Sequence, residues 1–249
     1  RRQRQMCIRD SDMTGPLEGI RVVDLTQVVS GPLATMLLAD QGAEVVKVEP
    51  LGIGGDVTRL PSFAKGGISA LFVNNNRGKR SLAVDLTKEE GKQIVIDLVE
   101  QADVFIQNFR PGAIERLGLS YDELKAVNPK LIYCSISGFG PDGPYSDRPV
   151  LDPVIQGLTS MVSRQLNPQI PFPDLVRNLV ADKSTALTSA QAITAALLER
   201  ERSGEGQHVR LSMLDSVISF LWHSDMGSQT FVGGEFPQEA AQSFIDLIL

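Results

Sequence analysis

A chain of 249 residues with 42% hydrophobic and 22% charged residues has globular composition, enough for one large α/β domain or two smaller ones. Residues 1–14 hold four arginines against two aspartates, so the net charge of −6 leaves an acidic body at −8 with no basic stripe, which argues against a nucleic-acid partner. Cys7 and Cys134 lie far apart, and with His208 and His223 they argue against a disulfide framework and a metal centre; short, charge-interrupted apolar stretches exclude a membrane span and lead us to expect a cytoplasmic protein.

Residues 1–14 show neither helical nor strand periodicity and read as a disordered or artefactual lead. The regular pattern starts at Leu17. Ile20–Leu25 is a β-rich run, Ser30-Gly31-Pro32 opens a helix through Ala39 that Gly42 stops, and Glu44–Glu49 is a second strand. This β-α-β unit makes its strands parallel, with the helix on one face. Residues 50–80, rich in Gly, Pro and Asn, read as a long polar loop ending in the basic cluster Arg77, Lys79 and Arg80.

Ser81–Leu86 follows as a strand, and Thr87 with Glu90 predicts a capping box for a helix to about Gln101. Asp103–Ile106 is a fourth strand, Asn108–Gly112 opens a short helix, Ser120 with Glu123 predicts a second capping box, and Leu131–Ile136 is a fifth strand. Alternation at this spacing specifies a mainly parallel α/β sheet with helices on both faces. Ligands then belong at the strands' carboxyl ends, in the loops after Leu25, Ile106 and Ile136. Beyond Val150 the pattern is mostly helical, over Asp152–Val162, Lys183–Arg202 and Leu211–Trp222. The strand-like Phe244–Leu249 has no cap, so the chain reads as ending mid-domain.

Several features compete for function. Gly138–Gly143 matches G-x-G-x-x-G, but Pro141 and Pro144 oppose the helix a dinucleotide site needs, and the acidic residue expected about twenty positions later is missing. His208 sits in a polar turn with a surface role, and His223 reads as packed on an apolar helix. The basic cluster is either a solvated face or an anion contact. Asn108, Phe109 and the following N–H groups offer an amide, an aromatic face and a helix start to a flat polyanion, with Arg116 further on. Asp182, ahead of a helix-forming run, reads locally as an N-cap.

Together Pro16–Leu25, Ser30-Gly31-Pro32, Gly42–Glu49, Asn76–Ser81, Asn108–Gly112, Gly138–Gly140 with Gly143–Tyr145, and Arg200–Gln207 resemble the family III CoA-transferases, which include formyl-CoA transferase, carnitine CoA-transferase and the α-methylacyl-CoA racemases. The ordered matches cover roughly residues 15–220. The resemblance implies a large Rossmann-like CoA-binding domain over 15–220, a linker and the start of a smaller domain over 221–249, and an interlaced homodimer. It implies that coenzyme A, as acyl-CoA, contacts Gln27, Val28, Arg77, Lys79, Asn108, Phe109 and Arg116. It also implies that Asp182 is the nucleophile, attacking the acyl-CoA carbonyl to form a mixed anhydride before an acceptor carboxylic acid takes over. Two positions depart from the family pattern. Pro50 stands where a CoA-contacting basic residue is frequent, with Arg59 as a substitute, and Leu151 replaces the histidine of the racemase branch. Transferase is therefore preferred over racemase, with a catalytically silent CoA-binding dimerisation module as the alternative of a different class. Ser163–Pro173 offers no charge beyond Arg164 for a substrate carboxylate.

Overall fold

The structure, a computed structural model, describes residues 15–52, 54–60, 64–164, 172 and 174–230. The first crossover is β1 (Arg21–Asp24), α1 (Ser30–Asp40) and β2 (Glu44–Pro50), followed by the hairpin β3 (Ala64–Lys65) and β4 (Ile68–Ser69), and α2 (Ala70–Asn76). Then come β5 (Arg80–Val84), α3 (Glu89–Glu100), β6 (Val104–Gln107), α4 (Ala113–Arg116), α5 (Tyr121–Val127) and β7 (Ile132–Ser137). The remainder is α6 (Asp152–Leu158), α7 (Met161–Arg164), α8 (Val180–Ser203), β8 (Gln207–Ser212), α9 (Met213–Asp225) and α10 (Gly227–Thr230). Residues 1–14 and 244–249 lie outside the described residues.

Six strands form one parallel sheet in the order β5-β2-β1-β6-β7-β8. Alternation along each strand divides the core. Val22, Val104 and Ile132 face α1 and α8, whereas Val23, Phe105 and Tyr133 face the layer of α3 and α5. A third apolar cluster, including Ile155, Ala181 and Val217, joins α6, α8 and α9. The α/β fold with helices on both faces is therefore as expected. Strand order reverses between β1 and β6, whose carboxyl-end loops diverge and leave a crevice.

Four local expectations change. Within the expected 50–80 loop, α2 forms because Asn75 and Asn76 donate to the Leu71 and Phe72 carbonyls at 2.8 and 2.9 Å, satisfying buried amides inside the helix. Thr87 makes no capping box with Glu90; its N–H and hydroxyl both donate to Asp85, and α3 starts after Lys88 without a side-chain cap. By contrast, the Ser120–Glu123 capping box forms. Residues 207–212, expected to divide between a polar turn and a helix, are the edge strand β8, so His208 is half-buried in the sheet instead of lying in a surface turn. His223 is exposed on α9 rather than packed.

Beneath the crevice lies a chain of buried charges. The Lys79 ammonium donates to Asp24 Oδ2 (3.0 Å), the Pro32 carbonyl (2.9 Å) and Asn76 Oδ1 (2.8 Å), using all three protons. Asp24 also accepts from the Thr26 N–H and hydroxyl and from the Thr35 hydroxyl. Lys47 donates to the Thr26 carbonyl (2.7 Å) and pairs with Asp56 at 3.0 Å. Burial acts to raise the Asp24 pKa, but Lys79, Lys47 and the two hydroxyls outweigh it, so the carboxyl is held below its ordinary value. Removing one partner strands the other charge away from water. Asp24→Ala is expected to cost about 3–5 kcal/mol in denaturant unfolding, against about 0–1 kcal/mol for Arg77→Ala, which breaks a partly exposed pair with Asp40.

Candidate active site

The loop after β1 is held on three sides. Asn108, after β6, accepts the Gln27 N–H and donates to the Gln27 carbonyl, both at 2.8 Å, tying the two sides of the crevice together. Val28 adopts φ +70°, a strained left-handed conformation for a β-branched residue, with its N–H directed at Asp56 Oδ1 (3.4 Å). At Gly31, an added Cβ would lie 2.3 Å from Thr26 side-chain atoms. Only glycine therefore allows the first turn of α1 to approach the end of β1 this closely.

That first turn meets the start of α8. Asp182 is the third residue of α8, not its N-cap, which is Leu179. The capping role falls to Asp152, the first residue of α6, whose Oδ2 accepts the Asp182 N–H at 2.9 Å. Gln156 fixes Asp152 by donating to its Oδ1 (2.5 Å), and its amide oxygen accepts the Val176 N–H (2.8 Å) on the segment leading into α8. The Ser30 N–H and hydroxyl at the positive end of α1 act on the Asp182 carboxyl and favour its ionised form. Burial, reinforced by Asp152, overrides those donors and pushes the Asp182 carboxyl up to about 6.

A cavity of about 220 Å³ opens onto this carboxylate. Its walls carry Val28 and Ser30 from the first loop, Asn108 to Pro111 from the second, Ile136 to Gly138 from the third, and Arg148, Asp152 and Asp182. The three carboxyl-end loops thus converge on one place. A larger cavity of about 370 Å³ adjoins it, sharing Phe109, Arg110, Pro111, Ile136 and Ser137, and runs past Tyr121, Tyr133 and His208. His208 stacks on Tyr121 with ring centroids 4.7 Å apart, accepts from Arg210 at Nδ1 (3.2 Å) and pairs with Ser135 through Nε2 (2.9 Å). Burial first, and Arg210 second, push its pKa down to about 4, leaving a neutral ring near pH 7. Cys134 is buried and its thiol is pushed up to about 12, which removes it as a thiolate nucleophile.

Of the residues singled out in the sequence, Val28, Asn108, Phe109 and Asp182 share the smaller cavity. Gln27 is outside its walls and is tied through its backbone to Asn108. Arg116 is exposed on α4 and Arg77 pairs with Asp40, both outside the walls of either cavity; Lys79 lies below, committed to Asp24. Arg59 grips Glu49 through two hydrogen bonds and lies 3.7 Å over the Phe72 ring. Glu49, despite burial, is pulled down to about 2 by Arg59, the Asp56 N–H and Ser81. Ser30, Arg148 and Asp152 were not singled out; the Ser-Gly-Pro helix start and the acid opening α6 were the available signals. The loop after Gly138 forms no helix before Asp152, consistent with its rejection as a dinucleotide turn.

A model of CoA-transferase family III matches residues 17–244. The chain belongs to CoA-transferase family III. Relatives within it include a succinate–glutarate CoA-transferase of Agrobacterium fabrum, 44% identical over 218 residues, and an acetyl-CoA:oxalate CoA-transferase of Acetobacter aceti, 39% identical over 212 residues. Each alignment covers 85% of this chain and 54% of the relative. A crystal structure of a CaiB/BaiF family protein from Brucella suis superposes with a TM-score of 0.83 at 39% identity, covering 90% of this chain and 60% of that one. The chain therefore spans about half the length of the curated family III relatives it matches. No helix among the described residues is long and apolar enough to cross a membrane, and no described group of three or more His, Cys, Asp or Glu residues is arranged to hold a metal ion.

The raised Asp182 pKa has a consequence for stability. The folded carboxyl keeps its proton up to about pH 6, the unfolded one only to about its ordinary 3.8, so ionisation costs the fold stability as pH rises through that window. A displacement of about two units corresponds to at most about 3 kcal/mol. Asp182→Asn, which cannot ionise, is expected to be more stable than the parent above pH 6 by up to that amount. Denaturation midpoints measured from pH 3.5 to 8 should show the difference vanishing below about pH 4.

Proposed function

We propose that this chain carries the catalytic centre of a CoA-transferase that moves CoA between an acyl-CoA and a free carboxylic acid, with Asp182 as covalent nucleophile. The observation that carries this reading is a buried carboxylate that shares the switch-point cavity of a family III chain with Ser30 at the start of α1. CoA enters as substrate. Phe109 and Arg110 line both cavities, so an aromatic face and a cation flank the route from the larger cavity towards Asp182, with Arg116 exposed on α4 outside both. Asn108 acts by positioning the Gln27 backbone, and Lys79 by ordering the floor, instead of touching CoA through their committed side-chain groups. The interlaced homodimer implied by the family resemblance is part of this proposal.

The chemistry follows from the carboxylate's surroundings. An Asp182 oxygen attacks the thioester carbonyl, the C–S bond breaks, and CoA leaves as a thiolate from an aspartyl–acyl anhydride. The thiolate then attacks the Asp182 carbonyl and releases the donor acid as its carboxylate, leaving an aspartyl-CoA thioester. The acceptor carboxylate reverses both steps. It displaces thiolate to form a new anhydride, and thiolate returning to the acceptor carbonyl frees Asp182 and the new acyl-CoA. No net proton is exchanged. Burial and Asp152 disfavour the free Asp182 anion, and acylation removes that charge. The environment that raises the pKa therefore destabilises the free carboxylate relative to the acylated residue, the charge passing to the departing thiolate. With a pKa of about 6, most of the group is still ionised at pH 7 and able to attack.

In the whole protein, Asp182→Asn and Asp182→Ala should abolish exchange while CoA still binds by calorimetry, and hydroxylamine should trap an adduct on the Asp182 peptide, read by mass spectrometry. Turnover surviving in Asp182→Ala would sink the proposal. The acylation rate should fall as pH drops below about 6, tracking protonation of Asp182. Proton exchange at the α-carbon in deuterated water without any acceptor acid would instead favour racemisation, for which the exposed Leu151 before Asp152 supplies no base.

A further inference from the structure

Most cations around this site are already paired. Lys79 serves Asp24, Lys47 serves Asp56, Arg59 serves Glu49 and Arg77 serves Asp40. Arg148 differs. It lines the small cavity together with Asp182, and among the described residues it forms no ion pair. Its guanidinium lies 4.3 Å from the centre of the Tyr145 ring, its N–H donates to the Tyr145 carbonyl at 2.9 Å, and Tyr145 packs edge-on against Phe139 at 5.5 Å. Phe139 in turn packs on the apolar cluster of α6, α8 and α9. A stacked ladder therefore holds this charge in place before any ligand arrives, which reduces the ordering needed on binding.

We propose that Arg148 is a specificity-determining residue, receiving the second carboxylate of a short dicarboxylic acid whose first carboxyl group reacts at Asp182. This rests on the transferase reading above. CoA's own phosphates are a poor match for Arg148, because the whole pantetheine arm separates them from the thioester, whereas Arg148 and Asp182 share the walls of one small cavity. Arg110 borders both cavities and so faces the CoA route; Arg148 borders only the smaller. At about 220 Å³ that cavity lies below the roughly 300–1,000 Å³ of sites for drug-sized ligands, which suits a short chain. Val28, Ile136, Val150, Leu151 and Met213 give it apolar walls for intervening methylenes. The planar Arg148 guanidinium can offer paired donors to the terminal carboxylate.

The test compares kcat/KM of the whole protein for succinate and glutarate with that for butyrate and pentanoate, in the parent, Arg148→Gln and Arg148→Lys. The parent should prefer the dicarboxylates. In Arg148→Gln the dicarboxylate-to-monocarboxylate ratio should fall about 10- to 100-fold, mainly through KM, and Arg148→Lys should recover part of it. CoA affinity by calorimetry reports folding and separates a substrate contact from a CoA contact. An unchanged ratio, a loss explained by weaker CoA binding, or a parent that prefers monocarboxylates would overturn the inference while leaving CoA transfer standing. A parent that transfers CoA to no acid of either kind and forms no Asp182 adduct would remove the transferase reading, and this inference with it.

Discussion

The buried run of charges from Lys79 through Asp24 and Lys47 to Asp56 is the constraint from which the site follows. Four charges of balanced sign lie at the carboxyl end of β1, within and after β2 and just before β5, where neither partner of a pair can be lost without leaving the other uncompensated. Their hydrogen bonds are directed. Lys47 holds the Thr26 carbonyl, Asp24 holds the Thr26 N–H and the Thr35 hydroxyl of α1, and Asp56 faces the Val28 N–H. The loop over this floor has little freedom, which lets Val28 persist at φ +70° and lets α1 begin close against β1.

Above the floor, two helix starts share the problem of unpaired N–H groups. The start of α1 turns the Ser30 N–H and hydroxyl towards the ionised form of Asp182, and the start of α8 donates to Asp152 through the Asp182 N–H. Each carboxylate answers a backbone need, and the two are brought near one another as a result. Ser30 lowers the Asp182 pKa, but burial and Asp152 raise it further than Ser30 can offset. The outcome is a carboxyl group whose pKa is pushed up to about 6. Structural capping and proposed catalysis draw on the same atoms.

The chain itself announced the parallel sheet, because strand and helix periods alternate too regularly from Ile20 to Ile136 to specify much else. The three carboxyl-end loops could be named for the same reason, and residue order identified Asp182, Asn108 and Phe109 through the resemblance. Local errors came where side chains answered a partner distant from the expected one or where composition disguised the element. Asn75 and Asn76 look like loop residues until their amides find carbonyls one turn back. Gln207–Ser212 looks divided between a turn and a helix because a strand that, among the described residues, pairs only with β7 alternates weakly between polar and apolar positions.

The sequence by itself therefore determined the fold class, the family and the likeness of Asp182 to a nucleophile, since these depend on local periodicity and motif order. Only the tertiary structure decided that Lys79 belongs to the floor, that Asp152 caps the helix carrying Asp182, and that Arg148 shares its cavity unpaired. The physical reason is distance along the chain. Fifty-five residues separate Lys79 from Asp24 and thirty separate Asp182 from Asp152, and no local pattern encodes which charges meet once burial makes an unpaired one costly.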